Sequence, residues 1–229
     1  MPRFINPTVL MTRPHESSER FVQALAGVAG PFEHVICPAF EYAGTDAFFP
    51  DFDIGIFSSR AGVQFAPSGA GRIAYCVGDA TARAAKLAGY VAMSAQGAAD
   101  DLVRMILADA PEGKLLHIRG ETSVGDVRKT LVAHGLRGAE VVAYRKDVMD
   151  LSALEKVVKP MDKEIILPLF SAETVSIIRR GNIEFPALNV VALSPAVAAA
   201  ADQLSTGSIT TASAPTQEEM VRSVARMIA

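Results

Sequence analysis

Two kinds of strand–helix unit each occur twice along this chain, and their copies are interleaved. The short unit is strand, turn, helix, strand: TVLMTRPHESSERFVQALAGVAGPFEHVICPAFEY at 8–42 and KLLHIRGETSVGDVRKTLVAHGLRGAEVVAYRKD at 114–147. In each copy an apolar strand ends at an arginine, Arg13 or Arg119, and a polar run with Ser17, Ser18 or Ser123 follows. An amphipathic helix then carries Phe21, Val22 and Leu25, or Val127, Leu131 and Val132, and is expected to stop near Gly27 or Gly135. The long unit alternates three strands with three helices. One copy starts at DFDIGIFSSRAGVQF and the other at DKEIILPLFSAETVSII, and both close on Met-Ile, Met105-Ile106 and Met227-Ile228. Internal duplication at this length points to two related lobes.

Near-continuous apolar strands alternating with helices specify parallel sheets covered on both faces. One short and one long unit together supply about five strands, enough for a flavodoxin-like sheet. Two assemblies satisfy the pattern. Tandem folding would place residues 1–110 in one lobe and the rest in the other. Alternatively the first short unit joins the last long one, and the middle of the chain forms the second lobe. Periodicity does not choose between them, although PAFEYAGTD and RKDVMDLS read as crossings in the second scheme. Either assembly leaves a cleft between lobes.

Half of the 229 residues are apolar and 21% are charged, with a net charge of −3. That profile fits an ordinary globular protein and gives no general attraction for nucleic acid or an anionic membrane. Residues 190–201 are too short and too interrupted, by Ser194 and Pro195, to span a bilayer. The N-terminus has no apolar run before its first charges, so no signal peptide is expected. Cys37 and Cys76 lie in apolar runs without metal-ligand spacing and read as buried hydrophobes in a reduced, cytoplasmic protein. The histidines His15, His34, His117 and His134 show no ligand spacing, so no metal is expected. Met105, Met149, Met161 and Met227 read as core. Asp100-Asp101 and Glu218-Glu219 read as acidic helix starts. GxGxxG after a strand, GxxxxGK[ST], HExxH and GxSxG are all missing, which disfavours nicotinamide enzymes, nucleotide hydrolases and serine hydrolases.

Seven segments, in order, resemble the uroporphyrinogen-III synthase family. They are TRP with its helix (12–25), FSSRAGVQF (57–65), VGDATARAAKLAGY (77–90), LLHIRG (115–120), EVVAYR (140–145), LFSAETV (169–175) and SAPTQEEMV (213–221). The resemblance covers nearly the whole chain. It implies two α/β lobes joined by a two-stranded connection, one made of residues 1–40 plus 148–229 and the other of 41–147. It implies a linear tetrapyrrole substrate, hydroxymethylbilane, no cofactor and a monomer. In the family's reaction the terminal hydroxyl leaves, ring D inverts through a spiro intermediate, and the macrocycle closes. Two turns depart from the family pattern. ALSPAVA lacks the glycine and threonine found at the equivalent of VGDAT, and FSAET replaces an SPS-type turn. These departures keep open a non-catalytic, synthase-like module that binds an anionic metabolite.

A polycarboxylate held by an acidic protein needs many donors and few buried charges. Helix N-termini at the ends of parallel strands supply them. Turns of this kind fall at residues 12–18, 58–61, 78–81, 119–123, 171–174 and 194–196. Tyr144, a phenol at a strand end, is the candidate donor to the departing hydroxyl, against a boundary tyrosine with a wet hydroxyl. Thr81, three residues after Gly78, either contacts ligand or caps its helix, and Ser58, Ser59 and Ser171 carry the same pair of readings. Arg13 and Arg119 either take a carboxylate bidentately or pair with Glu16 and Glu121. Arg60 is a further carboxylate ligand or a solvated side chain.

Overall fold

The computed structural model describes residues 7–122, 125–161, 163–185, 187–202, 204 and 207–228. The chain divides into two compact units, residues 1–41 with 147–229, and residues 42–146. Strand β1 (Thr8–Met11), helix α1 (His15–Ala29) and strand β2 (Glu33–Ile36) open the first unit, and β3 (Phe40–Gly44) leads out of it. The second unit continues with β4 (Ile54–Phe57), α2 (Arg60–Gln64), β5 (Ile73–Cys76), α3 (Asp79–Leu87), β6 (Val91–Ser94), α4 (Ala99–Asp109), β7 (Leu115–Gly120), α5 (Val127–Ala133) and β8 (Gly138–Val148). The chain then completes the first unit with α6 (Leu151–Val158), β9 (Ile165–Leu169), α7 (Ala172–Arg180), β10 (Leu188–Ala192), α8 (Pro195–Ala201), β11 (Ser208–Thr211) and α9 (Gln217–Ile228).

The first unit's sheet runs β11-β10-β9-β1-β2, parallel throughout. Numbered along the unit, this is the doubly wound 2-1-3-4-5 order of flavodoxin-like sheets. The pairing of Thr8 with Ile165 is what makes the unit discontinuous: the first short unit completes its sheet with the last long one. In the second unit the order is β3-β8-β7-β4-β5-β6. With β7 and β8 as first and second strands, the same 2-1-3-4-5 pattern returns, permuted in sequence. β3 is an added edge strand running against β8: the Thr45 amide donates to the Ala143 carbonyl, and the Met149 amide to Ala39. Both passages between units fall within this strand pair, at 41–42 and 146–147.

Each sheet is sealed by helices whose buried stripes follow the helical repeat. In the first unit Phe21 and Leu25 of α1 pack with Met220 and Val224 of α9 over Val9 and Met11. A fully buried side chain of this size contributes roughly 1.5–3 kcal/mol relative to exposure. The second unit has a separate core on each sheet face. Leu116 and Ile118 point into the one beneath α2 and α3, and Leu115 into the one beneath α4 and α5. Helix α1 runs past Gly27 and ends at Gly30, whose φ of +74° supplies the left-handed turn; the helix-spaced Leu25 keeps its last turns on the core. Met149 is 42% exposed, because it lies beyond the end of β8 and not on an apolar face. Cys76 is buried, whereas Cys37, just past β2, is half-buried.

Candidate active site

Polar residues gather where the second unit's β4 and β7 end beside β8. Ser59 ends the β4 turn and caps α2, its Oγ accepting the Gly62 amide at 3.3 Å. The same Oγ lies 2.8 Å from the Tyr144 hydroxyl. Residues 85 positions apart in sequence are thus hydrogen-bonded at one sheet edge.

An irregularity in the β7–β8 ladder puts the phenol there. Arg119 faces Val142, but Gly120 faces Tyr144, so Ala143 is the extra residue of a bulge. Ala143 and Tyr144 therefore both join the core beneath α2 and α3, which consecutive residues of a regular strand cannot do. The ring stacks on Phe65 at 5.7 Å and meets Tyr42 edge-on at 5.2 Å. Gly120 completes the box: a Cβ there would sit 2.7 Å from the tyrosine ring. Tyr144 is consequently 7% exposed, with its hydroxyl held at the edge of the sheet.

The next turn of this edge is built differently. Helix α3 starts at Gly78 with no side-chain cap, and Thr81 is buried in its first turn. The Thr81 amide donates to the Gly78 carbonyl at 3.0 Å. Ser58 and Arg60 flank Ser59, both half-buried.

Arg119 is engaged along its own sheet edge. Its guanidinium makes a two-pronged ion pair with Glu140, at 3.1 and 3.3 Å, and donates to the carbonyls of Gly120 and Glu121. The Glu121 contact is thus through the backbone, and the carboxylate partner is Glu140 on the neighbouring strand. Bonding to Arg119 draws the Glu140 carboxyl below its ordinary value. One position along the same face, His117 is 2% exposed, and neither ring nitrogen has a partner among the described residues. Burial pushes it down to about 4, Glu140 pulling it up and Arg119 adding to the depression. It is therefore neutral at neutral pH. Ser123, expected in the turn after β7, lies outside the described residues.

At the equivalent edge of the first unit, Ser171 and Ser194 spend their hydroxyls internally. Ser171 caps α7 through the Thr174 amide at 3.2 Å and also bonds the Thr174 hydroxyl at 2.9 Å. Ser194 caps α8 through the Val197 amide at 3.4 Å. Arg13 lies over the Phe170 ring at 4.0 Å, and its carbonyl accepts the Ser18 hydroxyl. Glu16 is engaged by Arg20. Thr12, fully buried at the end of β1, has a side-chain oxygen without a partner among the described residues. His15 is exposed beside Glu19.

Sequence reasoning singled out Ser59 and Tyr144 separately and missed the box around the phenol. A glycine at the end of the apolar run LLHIRG was the available signal, since glycine in a strand marks close approach or a bulge. Among the described residues no group of His, Cys, Asp and Glu could hold a metal ion, and no helix is long and apolar enough to cross a membrane.

Two doubly wound sheets with polar strand ends define an α/β protein of the two-lobe type. The sequence model described as uroporphyrinogen-III synthase HemD matches residues 20–222. The chain belongs to the uroporphyrinogen-III synthase family, enzymes of haem biosynthesis. Its fold is similar to that of uroporphyrinogen-III synthetase from Helicobacter pylori, with a TM-score of 0.65, 14% identity, and 96% of this chain and 98% of that chain covered. A mutant uroporphyrinogen III synthase from the extremely thermophilic bacterium Thermus thermophilus aligns at TM-score 0.48 and 16% identity, over 96% of this chain and 98% of that one. No curated protein matches the chain by sequence.

Proposed function

We propose that this enzyme is a hydro-lyase that closes hydroxymethylbilane to uroporphyrinogen III, with Tyr144 as the proton donor to the departing hydroxyl. The 2.8 Å contact between Tyr144 and Ser59, at a boxed and nearly buried phenol, carries the assignment. In the first step the C–O bond breaks as the adjacent pyrrole nitrogen's electron pair moves in. The phenolic proton goes to the leaving oxygen, and water departs. The resulting azafulvenium carbon is attacked by the substituted position of ring D, giving the spiro intermediate. Fragmentation and re-closure invert that ring, and loss of a ring proton restores aromaticity. The later steps need orientation more than acid. Holding the curled chain in a reactive geometry can contribute roughly 7–11 kcal/mol.

The substrate's carboxylates need donors at several points. Helix α3, opened by glycine, keeps its first amides clear of any side-chain cap. Thr81, Ser58 and Arg60 extend that donor set within the same unit, and Gly78 lets a carboxylate approach the backbone. Arg13 and Ser171 serve the first unit's edge. Arg119 acts by fixing the β7–β8 edge through Glu140. We further read residues 1–40 with 148–229 and residues 41–147 as the two functional lobes, in a cytoplasmic monomer that needs no cofactor. Helices α7 and α8, whose serines cap their own amides, favour a second reading, a non-catalytic module for an anionic metabolite.

Incubation of the purified protein with freshly prepared hydroxymethylbilane separates the two. The enzyme reading expects the type III isomer, undiminished after exhaustive dialysis against chelator. Formation of the type I isomer alone would overturn the enzyme reading.

A further inference from the structure

We infer that Ser59 is a positioning residue that sets which way the Tyr144 proton points, an inference that rests on Tyr144 being the acid. A phenolic O–H lies near the plane of its ring and has two orientations there. The ring is held between Phe65, Tyr42 and the backbone at Gly120, so it does not turn to choose between them. The choice falls to whatever meets the oxygen, and Ser59 Oγ meets it at 2.8 Å.

Ser59 is already an acceptor, taking the Gly62 amide. Its own proton then has the Tyr144 oxygen as its acceptor at hydrogen-bond distance. In that arrangement the serine donates, the phenol accepts, and the phenolic proton is turned outward toward substrate. Once the proton has gone to the leaving hydroxyl, the same serine bond strengthens, because it now meets a phenolate. The opposite arrangement points the phenolic proton at Ser59 and away from substrate. Ser59 is thus more than a helix cap, and the two roles are separable by substitution.

Aspartate caps helices about as well as serine but, ionised, has no proton to give. Ser59→Asp therefore keeps the cap, accepts the phenolic proton and turns it inward. Expected for Ser59→Asp is a kcat about tenfold lower with the melting temperature retained, a loss of the size of one hydrogen-bonding group. Ser59→Ala is expected to lower kcat by about as much, with KM within about twofold, and Ser59→Thr to regain kcat to within about threefold. In a Tyr144→Phe background, Ser59→Asp is expected to cost nothing further. A wild-type kcat for Ser59→Asp, or an equal loss in the Tyr144→Phe background, overturns the positioning role while leaving the acid in place. A wild-type kcat for Tyr144→Phe alone overturns both.

Discussion

The two units share one strand order and differ in what they do with their strand ends. In the first, Ser171 and Ser194 turn their hydroxyls onto the amides of α7 and α8, and Arg13 rests on Phe170. In the second, α3 opens on a bare glycine, and Ser59 faces a boxed phenol as well as its own helix. A duplicated sheet supplies two sets of helix N-termini at no further cost. In the first unit serines cap α7 and α8 while α1 has no side-chain cap, and in the second Ser59 caps α2 while α3 stays open. On the proposed function, reaction and most carboxylate donors belong to the second unit's edge, with Arg13 and Ser171 serving the first.

Substitutions should therefore sort by unit. The largest effect is expected at Gly120, where a methyl would meet the Tyr144 ring at 2.7 Å. Displacing a reacting group by about an ångström can cost about a hundredfold in rate. Gly120→Ala is thus expected to lower kcat by about that factor, measured as type III isomer formed per enzyme. A near-normal rate would mean that the phenol's position is immaterial.

Next comes Thr81→Ala, expected to lower activity between several-fold and about a hundredfold. Because α3 is capped at Gly78 without a side chain, its melting temperature should hold. Loss of stability without loss of rate would return Thr81 to a packing role.

His117 yields a prediction in pH. Its folded value of about 4 lies below the ordinary 6.5. As pH falls through 6.5 the unfolded chain takes up this proton first, so stability is lost progressively down to about pH 4. The change amounts to at most about 3 kcal/mol, the nearby Glu140 and Arg119 charges working in opposite directions. His117→Leu should flatten this part of the denaturation profile measured against pH. An unchanged profile would show that the histidine is not what titrates.

Smallest is Ser194→Ala. It removes the α8 cap, about 1 kcal/mol, lowering the melting temperature by about 2–4 °C, with kcat within about twofold of wild type. A tenfold fall in kcat would break the division between the units.

Much of this architecture was legible before any coordinates. Apolar strands ending in serine or arginine, each followed by an amphipathic helix, specified doubly wound sheets, and the interleaved repeats allowed the discontinuous pairing that Thr8 and Ile165 make. Ser59 was visible as a polar residue at a strand end; Tyr144, read as another, lies inside β8, opposite Gly120 at the end of β7. Their contact was not visible, because it depends on a one-residue bulge between Gly120 and Tyr144. A shift of one residue reverses which face a strand side chain occupies, and alternation patterns cannot anticipate it. The partner of Arg119 was hidden for a related reason: Glu140 lies on the adjacent strand, and only the register brings it near. The extent of α1 beyond Gly27 was missed because its packing outweighs the roughly 1 kcal/mol that glycine costs a helix.

The most direct trial of where the chemistry resides is the rate of hydroxyl loss from saturating hydroxymethylbilane by Tyr144→Phe. This substitution removes one oxygen and leaves the ring in its box. A kcat lower by about tenfold to a hundredfold, with KM and melting temperature close to wild type, is the expected result. A wild-type kcat would contradict the account and move the search for the acid away from this edge of the second unit.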